Sequence, residues 1–260
     1  MNAMTPKART FVLKQVTVLA LIAALISGCA SNTVNDDSPV YDPFEPVNRG
    51  IYQFNTVADK YVLRPVAKGY QDFIPDFIRT GINNFFNNLS YPVTIFNGLL
   101  QGKFAQAGSD TGRFLINTTL GLAGFLDPAT SANIPVHNED FGQTLGTWGV
   151  PEGPYLVVPF FGPKTARSVS GNVFDIYLTN PQFQVFSSSV QTKVNILWYI
   201  HTRSTLLAFD DEINKAYDPY TFVRDAYVQN RNYLLYDGNP PEEAFFDEEN
   251  FDDEEFNEDF

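Results

Sequence analysis

Residues 113–129, RFLINTTLGLAGFLDPA, narrow the choice of fold more than any other stretch of this chain. The run begins as a helix, loses its side chains at Gly121 and Gly124, and stops at Asp127-Pro128. A helix that crosses a bilayer needs roughly 20 consecutive apolar residues, and the apolar part here, 121–126, is far shorter. It is also too apolar and too rich in glycine for an ordinary surface connection. Glycines three residues apart let a neighbouring backbone or a lipid chain come close. Two settings fit: a buried helix end closed by a tight turn, or a segment lying in or beside lipid.

The flanking sequence reads as helix after helix. After Pro46, the residues Val47, Ile51, Phe54, Val57 and Tyr61 recur at helical spacing. Polar Gln53 and Asn55 flank Phe54 within that stripe, and Arg64-Pro65 is expected to end it. A short helix follows, broken at Ile74-Pro75, with Asp76 placed to cap the next one. There Phe77, Ile78, Ile82, Phe85, Phe86 and Leu89 mark an apolar face, opposite the amides Asn83, Asn84, Asn87 and Asn88. An amide face without charge suits an interface or the lining of a channel. Ser90 and Pro92 are expected to start a separate helix over 91–100. Gly102 divides it from residues 103–120, whose small residues Ala107, Gly108, Thr111 and Thr118 permit close helix packing.

Residues 137–163 are dense in glycine and proline, so no regular helix is expected. A short strand fits 155–158, and 159–163 (PFFGP) forms an aromatic turn. Helices are expected over 164–178 and 190–216, with 196–200 apolar all round and therefore buried or facing lipid. Asp218-Pro219 opens the last helix and Asp237-Gly238 closes it. Alternation of period two is almost absent. The fold class is mostly α, in one domain spanning 42–239.

The ends of the chain have other compositions. Residues 1–28 carry Lys7, Arg9 and Lys14 and then a short apolar run over 16–26, the parts of an export signal. The tetrad at 26–29, Ile-Ser-Gly-Cys, resembles the bacterial lipobox, and Cys29 is the sole cysteine. In such signals the cysteine becomes the acylated first residue, and two or more chains make anchoring stable. Ala30 rather than Asp at the next position implies delivery to the outer membrane. Residues 29–41 then read as the acylated terminus and a flexible tether. Residues 240–260 form an acidic tail of low complexity, expected to be disordered.

Composition and motifs exclude much. The net charge of -13 argues against nucleic acid as a partner. An aromatic share of 15%, with 24 Phe and 13 Tyr, suits a chain that meets a membrane or another apolar partner. With one cysteine no internal disulfide can form. Asp110-Thr-Gly112 spells the aspartic-protease triplet but sits in a helical pattern without a second copy. There is no Gly-x-Ser-x-Gly elbow, no phosphate-cradling loop, and the two histidines, His137 and His201, have no metal spacing. No catalytic residue, metal site or cofactor is assigned.

Five stretches carry a family resemblance: DPFEPVNRGIYQFN (42–55), RFLINTTLGLAGFLDPA (113–129), FGQTLGTWGV (141–150), GPYLVVPFFGP (153–163) and DPYTFVRDAYVQNRNYLLYDG (218–238). In this order they resemble the VacJ/MlaA family of outer-membrane lipoproteins over nearly the whole mature domain. The resemblance implies a ring-like assembly of amphipathic helices with glycine-rich loops, embedded in the inner leaflet of the outer membrane of a Gram-negative cell. It implies removal of mislocalised phospholipids from the outer leaflet through an amphipathic channel, which maintains lipid asymmetry. The lipid would pass to a soluble periplasmic carrier of the MlaC kind, and members associate with trimeric porins. Under this reading Cys29 is the acylation (palmitate) site, and the candidate channel residues are Gln53, Phe54, Asn55, Asn117, Gly121, Gly124, Phe125 and Asp127. Two alternatives remain: an enzyme acting on outer-membrane phospholipids, and a scaffold for porins that moves no lipid.

Overall fold

The computed structural model describes residues 40–176 and 187–241. Cys29, the export signal, most of the tether, most of the acidic tail and the expected end of the 164–178 helix lie outside the described residues.

Helix α1, Glu45–Ala58, starts with proline in its first turn, where no backbone donor is needed. It does not end at Arg64-Pro65 as expected. It passes through a π-helical turn, Asp59–Leu63, into α2, Arg64–Phe73. The wider turn resolves the proline: Arg64 N–H reaches back five residues to the Asp59 carbonyl, and Pro65 enters α2 in its first turn. Ile74 turns extended ahead of Pro75, as the residue before proline must, and the helix stops there.

Helix α3, Asp76–Leu100, also departs from expectation, running unbroken across Ser90 and Pro92. Its packing along α4, Phe104–Thr119, holds it together where local propensity favours a break. Asp76 is not the cap; Pro75 occupies that position, and Asp76 ion-pairs with Arg79 inside the first turn. The α3–α4 corner is made by Gly102 in the left-handed region, φ 78°.

A short helix α5, Pro128–Ser131, follows the glycine turn. The next segment corrects another expectation. Despite its glycines, Phe141–Thr147 is helical and becomes α6. Asp140 caps it by accepting from Gln143 N–H at 2.9 Å, and Gly142 allows α7, Ala166–Phe174, to cross it closely. A Cβ on Gly171 of α7 would lie 2.3 Å from the Gly142 nitrogen. Between them β1, Tyr155–Val158, and β2, Gly162–Thr165, form an antiparallel hairpin with Tyr155 opposite Thr165. The strand and aromatic turn expected here are present. Helix α8, Ser188–Thr205, packs on α2 and leads through a 3-10 turn, Leu206–Phe209, to α9, Asp210–Lys215. Helix α10, Pro219–Leu235, begins at the Asp218 cap and ends in left-handed Asp237 and Gly238. The molecule is mostly helical, in one domain, as expected.

The distribution of side chains is unusual. Among the described residues, 18 polar or charged side chains are buried against 9 apolar ones. The apolar core is small: Val40, Tyr155, Val157 and Tyr220, flanked by Ile51, Tyr52, Tyr227 and Val228. Apart from Ile51, the stripe faces outward rather than into a core: Val47, Phe54 and Val57 of α1 and Tyr61 of the π turn are exposed, followed by Val62, Val66 and, at 85% exposure, Phe73. Water-soluble domains bury charge rarely and cover apolar helix faces. This one does the reverse.

Candidate functional site

The sequence-derived candidates fall in two places. The first is the hairpin edge beside α1. Asn48 and Asn55 lie seven residues apart on one helix face, and both reach the backbone of the hairpin. Asn48 donates to the Tyr155 carbonyl at 3.0 Å and accepts from Val157 N–H at 2.8 Å. Asn55 donates to the Val158 carbonyl at 3.1 Å and accepts from Phe160 N–H at 2.8 Å. A carboxamide supplies one donor and one acceptor, the same pair a neighbouring strand would offer. Phe54 meets Phe160 edge to face with ring centres 5.2 Å apart, and both rings are largely exposed. Gln53 is exposed. Asn55 therefore fixes an outward aromatic pair, Phe54 and Phe160, at the hairpin tip.

The second place is the turn after α4. Leu122, Ala123 and Gly124 have φ of 55°, 58° and 90°, three successive left-handed residues. Such backbone costs of order 1–3 kcal/mol per strained non-glycine residue unless its surroundings hold it. Here they do. Gly124 N–H donates to the Asn117 carbonyl at 2.8 Å, Ala123 N–H to Thr118 at 3.0 Å, and Leu126 N–H to Gly121 at 2.8 Å. Both glycines are required. A Cβ on Gly121 would sit 2.4 Å from the Asn117 carbonyl oxygen, and one on Gly124 would sit 2.4 Å from the Asn88 side chain. The Phe125 ring lies against Gly81 of α3, where a Cβ would come within 2.2 Å of it.

The exit of the turn is locked by charge. Asp127 Oδ2 accepts from Arg113 Nη2 at 2.5 Å and from the Thr130 hydroxyl at 2.6 Å. Its Oδ1 accepts from Asn117 Nδ2 at 2.9 Å and Thr130 N–H at 3.1 Å. Asn117 Oδ1 in turn accepts from Ala129 N–H at 3.1 Å. Burial pushes the Asp127 carboxyl up, but the hydrogen bonds of Thr130 and Asn117 and the Arg113 charge outweigh it and hold it below the usual carboxylate range. The result is a rigid loop whose exposed surface is Leu120, Leu122 and Leu126. The side chains of Asn117 and Asp127 are spent inside the loop, and Leu122 and Leu120 form its outer face.

Arg113, Thr130, Asn88 and Asn48 belong to these two sites and are not among the channel residues that the family resemblance nominates. Arg113 and Asn117 stand four residues apart on α4, a spacing that puts both on one face toward Asp127, so the signal was present. Asn48 and Asn55 share a face of α1 in the same way. The amide face of α3 is largely used for packing rather than left open. Asn88 donates to the Thr118 hydroxyl at 2.9 Å, Asn84 to the Phe125 carbonyl at 3.3 Å, and Asn83 Oδ1 meets His201 Nε2 at 3.3 Å.

The buried charges elsewhere pair across elements. Asp140 binds Arg231 of α10 through both oxygens, at 2.6 and 3.0 Å. Burial pushes its carboxyl up, and the Arg231 guanidinium with Gln143 N–H pulls it below its ordinary value. Glu139 takes Lys103, Gln101 and Gln106 at 2.9, 2.9 and 2.8 Å. At the π turn Asp59 and Asp210 accept from Arg203, and Arg64 lies within 3.4 Å of both carboxylates. His137 contacts Asp110 at 2.8 Å, and His201 contacts Tyr70 at 3.1 Å. Neither imidazole is on a serine hydroxyl among the described residues. No group of three or more potential metal ligands occurs among them, and none of their helices is long and apolar enough to cross a membrane.

The family model "MlaA lipoprotein" matches residues 40–234, which hold both candidate places. The chain is 37% identical over 228 residues to the intermembrane phospholipid transport system lipoprotein MlaA of Escherichia coli K12, covering 86% of this chain and 90% of that one. It is 36% identical to the protein of the same name from Haemophilus influenzae, covering 87% and 93%. A solved structure described as the structural basis for maintenance of bacterial outer membrane lipid asymmetry superposes with a TM-score of 0.67 at 36% identity, covering 75% of this chain and 98% of that one. The chain belongs to the MlaA lipoprotein family.

Proposed function

We propose that this protein is an outer-membrane lipoprotein that removes mislocalised phospholipids from the outer leaflet and passes them toward the periplasm. The observation that carries the reading is the inverted side-chain distribution, with buried amides and charges inside and valine, leucine and aromatic rings outside. A phospholipid is itself amphipathic, and a protein that moves it needs an apolar coat in lipid and a polar interior for the head group. Backbone at membrane depth must be satisfied within the protein, and the left-handed turn and the amide-held hairpin meet that condition.

In this reading the helices form a ring seated in the inner leaflet. Cys29 carries the acyl chains on the periplasmic side, and residues 30–41 tether the domain to them. The turn around Gly121 and Gly124 and the hairpin tip held by Asn55 shape the lipid path. A soluble MlaC-like carrier takes the lipid onward and porin trimers hold the protein in place. The step is transfer without bond breaking.

The test is a deletion strain complemented with the intact protein or with Cys29→Ala, read as phospholipid exposed in the outer leaflet. Deletion raises it, the intact protein restores it, and Cys29→Ala does not. An outer leaflet unchanged by deletion would refute the reading.

A further inference from the structure

Two helical rods change helix type at the same place. The first is α1–α2, interrupted by the π turn Asp59–Leu63. The second is α8–α9, interrupted by the 3-10 turn Leu206–Phe209. A π turn inside a helix is rare and often functional, and a 3-10 stretch in mid-helix often marks a hinge. Helix α2 packs on the 3-10 turn, so the two interruptions lie side by side.

Neither turn has a buried side chain. Tyr61 and Val62 of the first and Leu206 and Phe209 of the second are exposed. Charge joins them instead. Asp59 opens the π turn and Arg64 follows it, while Arg203 precedes the 3-10 turn and Asp210 follows it. Arg203 Nε and Nη2 donate to the two Asp59 oxygens at 2.5 and 2.9 Å, and Nη2 also meets Asp210 at 2.8 and 3.1 Å. Arg64 Nε lies 3.4 Å from Asp59 and 3.2 Å from Asp210. The four side chains close a ring in which each carboxylate sits between two guanidiniums. All are partly buried, where salt screens an ion pair less than at an open surface.

On either side of this joint the helices are tied to different partners. Helix α1 holds the hairpin through Asn48 and Asn55. Helix α2 holds α8, with the Tyr70 hydroxyl 3.1 Å from His201 and Gln71 donating to the Ser204 carbonyl at 2.8 Å. A bend at the π turn therefore swings α1 with its hairpin against α2 with α8.

We propose that the π turn and the 3-10 turn are a paired hinge and that the ring of Asp59, Arg203, Asp210 and Arg64 is its latch, fixing the angle between the two groups while lipid passes. This deepens the reading above and rests on it. Removing Arg203 leaves two partly buried carboxylates to share Arg64, and such a broken pair is unfavourable unless the joint opens. From Arg203 to Lys193, α8 is an arm of about 15 Å, so a bend of about 20° moves its end by about 5 Å.

The experiment measures nitroxide pair distances in the full lipoprotein in phospholipid vesicles. Thr56→Cys with Lys193→Cys spans the joint, and Lys68→Cys with Lys193→Cys lies within the α2–α8 group. With the latch intact both pairs give one narrow distance. Arg203→Met adds a population shifted by about 5 Å to the first pair alone, and Asp210→Asn, a milder change, adds a smaller one. In the complemented deletion strain Arg203→Met raises outer-leaflet phospholipid above the level with intact protein. Cross-joint distances unchanged in both variants overturn the latch and leave the function standing. Broadening of both pairs together means general loosening and overturns the hinge. A distance shift with an unchanged outer leaflet overturns the part given to the hinge in lipid passage. Deletion without any effect on the outer leaflet overturns the function itself, whatever the distances.

Discussion

Gly124 shows how a single position carries the turn at residues 121–127. Its φ of 90° disfavours any side chain, and a Cβ would meet Asn88 at 2.4 Å. Gly124→Ala adds backbone strain and overpacking together and lowers stability by about 2–5 kcal/mol. Gly50 is the contrast, because it lies in α1 and a Cβ there would meet nothing within 4 Å. Gly50→Ala is neutral or stabilising by up to about 1 kcal/mol. Thermal unfolding of both variants in detergent checks this, and equal effects would contradict the role given to the turn. The need for glycine at 121 and 124 was legible in the sequence, since two glycines in an apolar run before Asp-Pro imply close approach. That Leu122 and Ala123 join Gly124 in the left-handed region was not legible. It is imposed by Asp127, Asn117 and Arg113, which pull the chain ends together across ten or more residues.

At the scale of elements, α1 grips the hairpin with two amides rather than with apolar packing. Asn55→Ala leaves the Phe160 N–H without its partner, while the Val158 carbonyl keeps the Phe161 N–H, a loss of about 1–3 kcal/mol where the freed group stays dry. Amide hydrogen exchange therefore speeds up at Phe160 by about tenfold or more, while Val157, held by Asn48, keeps its protection. Uniform loosening of both amides would mean that the hairpin moves as one body and that Asn55 has no local role. Helix existence was readable from periodicity, and so were the Asp218 cap and the stop before Pro75. The joins were not. Pro65 and Pro92 are strong local breakers, yet a π turn accommodates the first and packing against α4 carries α3 across the second. Glycines that predicted irregular chain over 141–147 instead serve a close helix crossing. At Pro92 and over 141–147 a tertiary contact outweighed the local preference, and at Pro65 a local change of helix type did.

At the scale of the whole molecule, the inverted distribution of polar and apolar side chains ties fold to function. The sequence told of a large aromatic content and an all-round apolar segment at 196–200, but not which side those residues face. The structure turns Ile196 and Trp198 outward, 55% and 43% exposed. Exposure of this kind is unfavourable in water, at about 1.5–3 kcal/mol per large side chain, and costs nothing in acyl chains. The central claim is that this surface lies in lipid. The chain has two tryptophans, Trp148 and Trp198, so Trp148→Phe leaves a single fluorophore on α8. The deciding measurement is fluorescence of that variant in vesicles whose phospholipids carry bromine on the acyl chains. Strong quenching by bromine, with little quenching by aqueous iodide, is the result the inverted body predicts. Iodide quenching without bromine quenching would place α8 in water and contradict it.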